Sequence, residues 1–417
     1  MENEMRELDS KVQKAVQILW IDMAFDRGQE AVSLLEQAVE EGNPDAYYLL
    51  ARCYMGPSFV DPGFGFPDDD DSKVEEYLNL SIEKGSALGM FAARRVAGYE
   101  PRCGSFIQEP YHSSKEIWDE VCRMADAGDL FTKYLVANAY YYGDVIKLAE
   151  INVDSMPKNS LEKQIKEWME TAIRMYDELL AKGMTMGVGN YIDIITSGDY
   201  GIPKNEDKAK ELRKIAADKG SAYYMVQVGK DYEKTQPEKA AEYFKRAVEH
   251  NEPSGNFYLG RLYTYEGGLP RNLKLARDYF EAALEAGTEV TGSNNRLGQI
   301  YFYGGDGVEV DYKKAFKHLY DAHKDDNYWG SDMLGTCYLK GLGIAVDYER
   351  AKEEFEHYKG EELSAVGLGE IYAYGLGVPV NIKTAMEYWN KFPNNPTVIE
   401  QKKKFKKTLF GWKRIDE

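Results

Sequence analysis

A glycine that returns at a nearly constant interval limits what this chain can fold into more than any other feature. The pattern Leu-Gly-x-x-Tyr begins at Leu259, Leu297, Leu334 and Leu368, and its glycines, Gly260, Gly298, Gly335 and Gly369, stand 38, 37 and 34 residues apart. A period of that length signals stacked supersecondary units rather than one closed core. A Gly-bearing turn follows each of the last three copies, then Asp311, Asp347 or Asn381, then Ala315, Ala351 or Ala385, with Ala276 the counterpart in the first copy. Each unit reads as two helices. Gly341 and Gly375 end the first in a left-handed conformation, and the Asp or Asn caps the second.

Glycine within a helix costs about 1 kcal/mol relative to alanine, so four of them need a packing reason. The expectation is a close crossing in which each glycine meets the alanine of the second helix, with Leu and Tyr on either side. Upstream the pairing continues: second helices are predicted to end at Gly42, Gly85, Gly128, Gly183, Gly220, Asn251, Gly287, Asp326-Asn327 and Gly360, at intervals of 31 to 55 residues. The variation falls in connections, notably the insertions at 58–71, 98–112 and 143–160, where solenoids collect their insertions. A first helix is expected over 10–28 and the longest over 161–182. The domain reading is 1–183 as atypical helical repeats with long insertions, 184–391 as regular repeats, and 392–417 as a basic capping helix and tail. That last helix would start at Thr397 and set Val398, Phe405 and Leu409 near one face. Eight Lys or Arg against three acids between Lys391 and Glu417 fit the solvated face of such a cap.

The full run, Leu-Gly-x-x-Tyr-x-x-Gly-x-Gly followed by Val or Ile, then Asp or Asn, then Ala, resembles the Sel-one-like repeat, a relative of the tetratricopeptide repeat. The likeness is specific over Leu259 to Trp389 and extends by periodicity to the rest. It implies an all-α, right-handed α-solenoid of antiparallel helix pairs whose first helices line a concave groove that holds a protein or peptide in adaptor roles. One secreted branch of the family carries a disulfide in each repeat and is linked to beta-lactam binding. This chain lacks those paired cysteines, so that link is not carried over.

Groove positions follow by taking one, four and five residues after each marker glycine: Arg261, Thr264 and Tyr265; Gln299, Phe302 and Tyr303; Thr336, Leu339 and Lys340; Glu370, Ala373 and Tyr374. Tyr265, Phe302, Tyr303 and Tyr374 are the large rigid side chains that dominate binding hot spots, with Arg261 and Lys340 to orient a partner. The competing reading is that aromatics at these offsets pack against the neighbouring repeat.

Composition narrows the function classes. A hydrophobic content of 43% with 32 Tyr argues for a folded chain, and 52 basic against 70 acidic residues give a net charge of −18. A field of that sign disfavours nucleic acid and anionic membranes as partners. Cys53, Cys103, Cys122 and Cys337 are sparse and read as buried thiols without metal-ligand spacing. His112, His250, His318, His323 and His357 contain no pair at helical ligand spacing. Asp68 to Asp71 lack the spacing of a calcium loop and read as a helix N-terminus, and Asp325-Asp326 and Glu361-Glu362 read as solvated helix ends. Gly341-x-Gly343 has no strand before it and recurs as a turn, so it is not a dinucleotide fingerprint. No cofactor or metal is expected, and the absence of a basic leader before an apolar run points to the cytosol. The leading expectation is therefore a non-enzymatic protein–protein interaction scaffold or adaptor, a regulatory or immunity protein that neutralises a toxin being one form. The rival is an enzyme or small-ligand receptor whose site is built from the three insertions, with Asp70, Tyr111 and His112 as its chemistry.

Overall fold

Turn chemistry sets where each helix starts and stops. The computed structural model describes the chain except for residues 1–8, 57–58, 67–69, 97, 265–267, 325–328, 409–410 and 416–417. Tyr265, Asp68, Asp325, Asp326, Asn327 and Leu409 thus lie outside the described residues. The fold is the α-solenoid class of antiparallel helix pairs that the resemblance implies, and contacts divide it into two units, Met1–Gly229 with Glu249–Glu252 and Lys230–Val248 with Pro253–Glu417.

The first unit holds α1 (Ser10–Val16), α2 (Gly28–Glu40), α3 (Pro44–Cys53), α4 (Asp71–Glu83), α5 (Ala87–Arg95) and α6 (Ser114–Asp126). It continues through α7 (Leu130–Tyr142), the short α8 (Val145–Leu148), α9 (Lys158–Ala181), α10 (Val188–Ser197) and α11 (Glu206–Asp218). The helices α12 (Ala222–Tyr232) and α13 (Pro237–Glu249) contribute residues to both units. In place of one helix over 10–28, α1 runs into a π-helical turn at Gln17–Ile21, and Gly28 opens α2 instead of closing its predecessor. The π turn brings Ile18, Leu19, Trp20 and Ile21 all to the inside, more than one α-helical stripe could bury.

The insertions are ordered against this unit where described. In the first, Phe64 lies between Phe25 and Phe66 with ring centroids 4.9 and 5.7 Å away, while the Trp20 indole N–H donates to the Phe59 carbonyl at 3.1 Å. In the second, the Arg102 amide donates to Asn79 Oδ1 at 2.7 Å and its guanidinium pairs with Glu83 at 2.8 Å. The third contains α8 and a 3-10 turn, and Lys147 Nζ donates to the Arg94 carbonyl at 2.7 Å.

The second unit continues with α14 (Ser254–Leu262), α15 (Leu273–Glu285), α16 (Val290–Tyr303), α17 (Tyr312–His323), α18 (Ser331–Lys340) and α19 (Tyr348–His357). It ends with α20 (Glu362–Tyr374), α21 (Ile382–Trp389), α22 (Pro396–Lys402) and a hairpin of β1 (Phe405–Thr408) and β2 (Gly411–Arg414). Each inter-helix turn closes on itself. Asn272, Asp311, Asp347 and Asn381 accept the amide N–H three residues ahead through their side chains, and their own N–H groups donate to the carbonyls of Tyr263, Tyr301, Tyr338 and Tyr372.

The repeated glycines are holes for a larger partner than alanine. A Cβ placed on Gly260 would lie 2.7 Å from the Phe280 ring, on Gly298 2.6 Å from Leu319, and on Gly335 2.8 Å from Phe355, while on Gly369 it would run into the Trp389 indole. These knobs stand four residues beyond Ala276, Ala315, Ala351 and Ala385. The helices do come close, since the Ala351 carbonyl lies 3.2 Å from the same point at Gly335, but the side chain that fills the space is the knob. Leu259, Leu297, Leu334 and Leu368 are buried beside it, and Tyr263, Tyr301 and Tyr372 stack on Tyr279, His318 and Tyr388 at 5.9 to 6.1 Å.

Three further expectations change. The basic tail is not one capping helix: α22 stops at Lys402, and the hairpin lets Phe405 reach Trp389 and Tyr374, at 5.8 and 6.0 Å, while Lys406 and Lys407 stay exposed. Cys103 is exposed and Cys122 half-buried, leaving Cys53 and Cys337 as the buried thiols. Gly360 does not take the left-handed conformation, because α19 already ends at His357 with Tyr358 as its cap. Among the described residues no helix is long and apolar enough to cross a membrane.

Two outcomes test this packing. Gly369→Ala forces a methyl against Trp389, whose indole N–H bonds the Val366 carbonyl, and should cost about 1–3 kcal/mol. Gly360→Ala, with open space at its Cβ, should stay within about 0.5 kcal/mol of the parent; equal melting of the two variants by circular dichroism would contradict the hole-and-knob account. In the first insertion, burial pushes the Asp61 carboxyl up to about 6 despite hydrogen bonds from the Gly63 and Ala222 amides. A raised acid holds its proton more tightly when folded, so its stabilisation is complete below 3.8 and is lost as pH rises through about 6. Denaturant titrations between about pH 4 and about pH 8 should therefore show Asp61→Asn gaining on the parent with rising pH, by up to on the order of 3 kcal/mol, and parallel profiles would refute it.

Candidate functional site

Burial sorts the projected positions, because residues one, four and five after a marker glycine all lie within about 100° of one another on a helix and their spacing alone does not separate them. Thr264, Phe302, Leu339 and Ala373, the four-after set, are all buried, at 7, 8, 6 and 3% exposure. Phe302 packs edge-on against Tyr303 and Tyr312, at 4.9 and 5.7 Å. These residues, Phe302 and Leu339 included, are packed inside, as is the one-after Glu370 at 8% exposure.

The one-after and five-after positions run as a ladder along the first helices, and one pair of them links a first helix to the next. Lys340, five after Gly335, pairs with Glu370, one after Gly369, at 3.1 Å. Glu370 is otherwise buried and also accepts from the Gln401 amide at 3.4 Å. Tyr374, five after Gly369, donates its hydroxyl to Gln401 at 2.6 Å, and Lys404 and Arg414 sit over its ring at 5.9 and 5.3 Å. Arg261 is held by Glu233 at 3.0 Å and lies over the Phe257 and Tyr258 rings. Gln299 accepts from Arg296 at 3.3 Å, and the Thr336 hydroxyl is tied to the Asp332 carbonyl at 2.8 Å.

Tyr303 differs from its counterparts. It is 51% exposed, and among the described residues its hydroxyl has no hydrogen-bond partner. Partial burial raises its phenol, with the Asp332 and Glu362 carboxylates adding to the effect. Burial and the nearby Glu361 raise the Asp332 carboxyl as well, which accepts one bond, from the Met333 amide at 2.9 Å. Sequence reasoning left out Asp332, which stands three residues before Gly335 on the same helix, one turn from Thr336. It treated Glu361 and Glu362 as solvated helix ends, and both are exposed.

In the rival constellation the Asp70 carboxylate and the His112 backbone are tied into local structure, while the His112 ring stays exposed. Asp70 caps α4 through the Lys73 amide at 3.3 Å and bonds Ser72, and the His112 amide donates to Glu116 at 2.8 Å at the start of α6. Across α17 and α19, His323 lies 3.5 Å from the Glu354 carboxylate and its ring centroid 6.2 Å from that of His357. Spacing within one helix does not reveal that meeting. Among the described residues no group of three or more His, Cys, Asp or Glu could hold a metal ion.

The model of the Sel1 repeat matches this chain at residues 44–63, 194–221, 222–252, 253–288, 292–322, 332–353 and 363–392. The crystal structure of c5321, a protective antigen of uropathogenic Escherichia coli displaying an SLR fold, is similar at 20% identity and a TM-score of 0.51, over 94% of this chain and 78% of that one. A Sel1 repeat protein from Oxalobacter formigenes aligns at 21% identity and a TM-score of 0.45, over 79% of this chain and 89% of that one. The first likeness shows the fold.

The ladder makes its own prediction. Removing the ammonium with Lys340→Met leaves the buried Glu370 carboxylate with Gln401 alone, at a cost of about 1–3 kcal/mol, and Glu370→Gln in the same chain should recover part of it. Additive losses in this double-mutant cycle, read by chemical denaturation, would show that the pair is uncoupled.

Proposed function

Since the chain belongs to the Sel1 repeat family, we propose that it is a protein-interaction scaffold that holds a protein or peptide segment along the first-helix face of its second unit. The observation that carries this reading is Tyr303: a large aromatic on the ladder, half in water, between rungs whose own side chains are already engaged. A rigid amphipathic ring left open in this way supplies contact area at little entropic cost, which is why tyrosines dominate interaction hot spots. Arg261, Gln299, Thr336, Lys340 and Glu370 would border the seated segment, with Tyr374 at the end closed by the hairpin. The glycine, leucine and knob positions that stack each repeat are not ladder positions, so recognition at Tyr303 does not compete with them. Non-enzymatic holding, as an adaptor, is the activity such a surface supports.

Site-specific photo-crosslinking separates this from a surface with no partner. With p-benzoylphenylalanine replacing Tyr303, a defined crosslinked species should form in the source cell; the same group replacing Tyr320, a 40% exposed ring on the second helix α17, should not give it. Equal crosslinking from both positions, or none from Tyr303, would overturn the assignment of the face.

A further inference from the structure

We propose that the segment received at Tyr303 is cationic, an Arg- or Lys-bearing stretch of a basic protein, seated with one cation over the Tyr303 ring and against the Asp332 and Glu362 carboxylates. This rests on the scaffold reading above and adds the chemistry of the partner. The chain itself displays the recognition once. At Tyr374, the equivalent rung, the C-terminal segment supplies Lys404 and Arg414 over the ring at 5.9 and 5.3 Å, while Gln401 takes the hydroxyl at 2.6 Å. Tyr303 occupies the same place two repeats earlier, edge-on to Phe302, and among the described residues no cation lies over its ring.

The electrostatics around it are unbalanced in the matching sense. Among the described residues Asp332, Glu361 and Glu362 form no ion pair, and Glu362 has only the neutral Asn395 amide at 2.9 Å. By contrast the rungs on either side carry their own cations, Arg261 on Glu233 and Lys340 on Glu370. A half-buried carboxylate with acidic neighbours is stabilised by an incoming cation and penalised by an apolar partner that would strip its water. The phenol ring adds the attraction of its π face for the same charge. A phosphate-bearing partner would meet repulsion from both the site and the chain's net charge of −18. The occupant that satisfies all three groups together is a guanidinium or ammonium on a protein segment.

Fluorescence anisotropy of the full chain with a labelled decapeptide of alternating Arg and Gly, at low ionic strength, tests the proposal. Tyr303→Ala, and Asp332→Asn with Glu362→Gln, should each weaken binding about tenfold, and Tyr303→Phe should retain it. A charge-matched control, Glu162→Gln with Glu170→Gln on α9, should change it less than about twofold, and circular dichroism melts certify that every variant is folded. Absence of binding, or equal weakening by the site and control pairs, would overturn the cationic assignment and show only diffuse attraction. A Tyr303 crosslink to a partner segment without Arg or Lys would overturn it too, while leaving the scaffold reading intact.

Discussion

Everything in the second unit depends on a missing side chain. Each first helix has a glycine where a methyl would collide with a large residue of the second helix: Phe280, Leu319, Phe355 or Trp389. The helix accepts about 1 kcal/mol of lost propensity at that position, and truncating a buried Phe or Trp knob typically costs 3–5 kcal/mol, so the exchange favours the hole. Phe355 shows how the device links neighbours. Its ring lies against Gly335 in its own pair and against Gly367 in the next first helix, so one side chain holds two repeats. Phe257 meets Gly292 in the following repeat in a similar way, at 2.8 Å from the Cβ position. Packing of this kind is strictly between neighbours, which is why the period survives while the connections vary in length.

Much of this was readable from letters alone. The glycines, the buried leucines, the Asp and Asn caps and the two-helix unit occupy the predicted positions, because each demands one residue type or a very short list. The knob was not readable as a motif. Phe, Leu, Phe and Trp all fill the same hole, so no single letter recurs, whereas the alanine four residues earlier does recur and drew the packing argument to itself. Alanine recurs because the second-helix backbone passes close by; the volume is supplied one turn later.

The ladder shows a second limit. One, four and five residues after the glycine looked like a single stripe, but the middle position turns inward in every repeat, from Thr264 to Ala373. Offsets of one and four are about as near to each other on a helix as offsets of one and five, so the inward turn of the middle position follows from packing and not from spacing. What sequence could not supply is which rungs are already occupied. Lys340 meets Glu370 and Tyr374 meets Gln401 across 30 and 27 residues of chain, through contacts that depend on how one repeat sits on the next. The hairpin was hidden for a related reason. Val398 and Phe405 are spaced for one helix face, yet the Phe-Lys-Lys-Thr strand, buried only at its Phe, and Gly411, with a φ of 120°, bring Phe405 to Trp389 by another route.

The division of labour within the repeat explains how one face can carry unpaired charge without endangering the fold. Hole, knob, leucine and cap determine whether a repeat stacks, and none of them is a rung. A carboxylate such as Asp332 therefore weakens its own repeat locally, and its cost is not transmitted through the Gly335–Phe355 contact that holds the pair together. The last repeat is the contrasting case. There α22 and the hairpin cover Tyr374, with Gln401 on its hydroxyl and Lys404 and Arg414 over its ring. At Tyr303 the ring packs edge-on against Phe302 and is still 51% exposed, beside the Asp332 and Glu362 carboxylates. A half-open aromatic next to charge that the described residues do not balance is where the physics of this chain points outward.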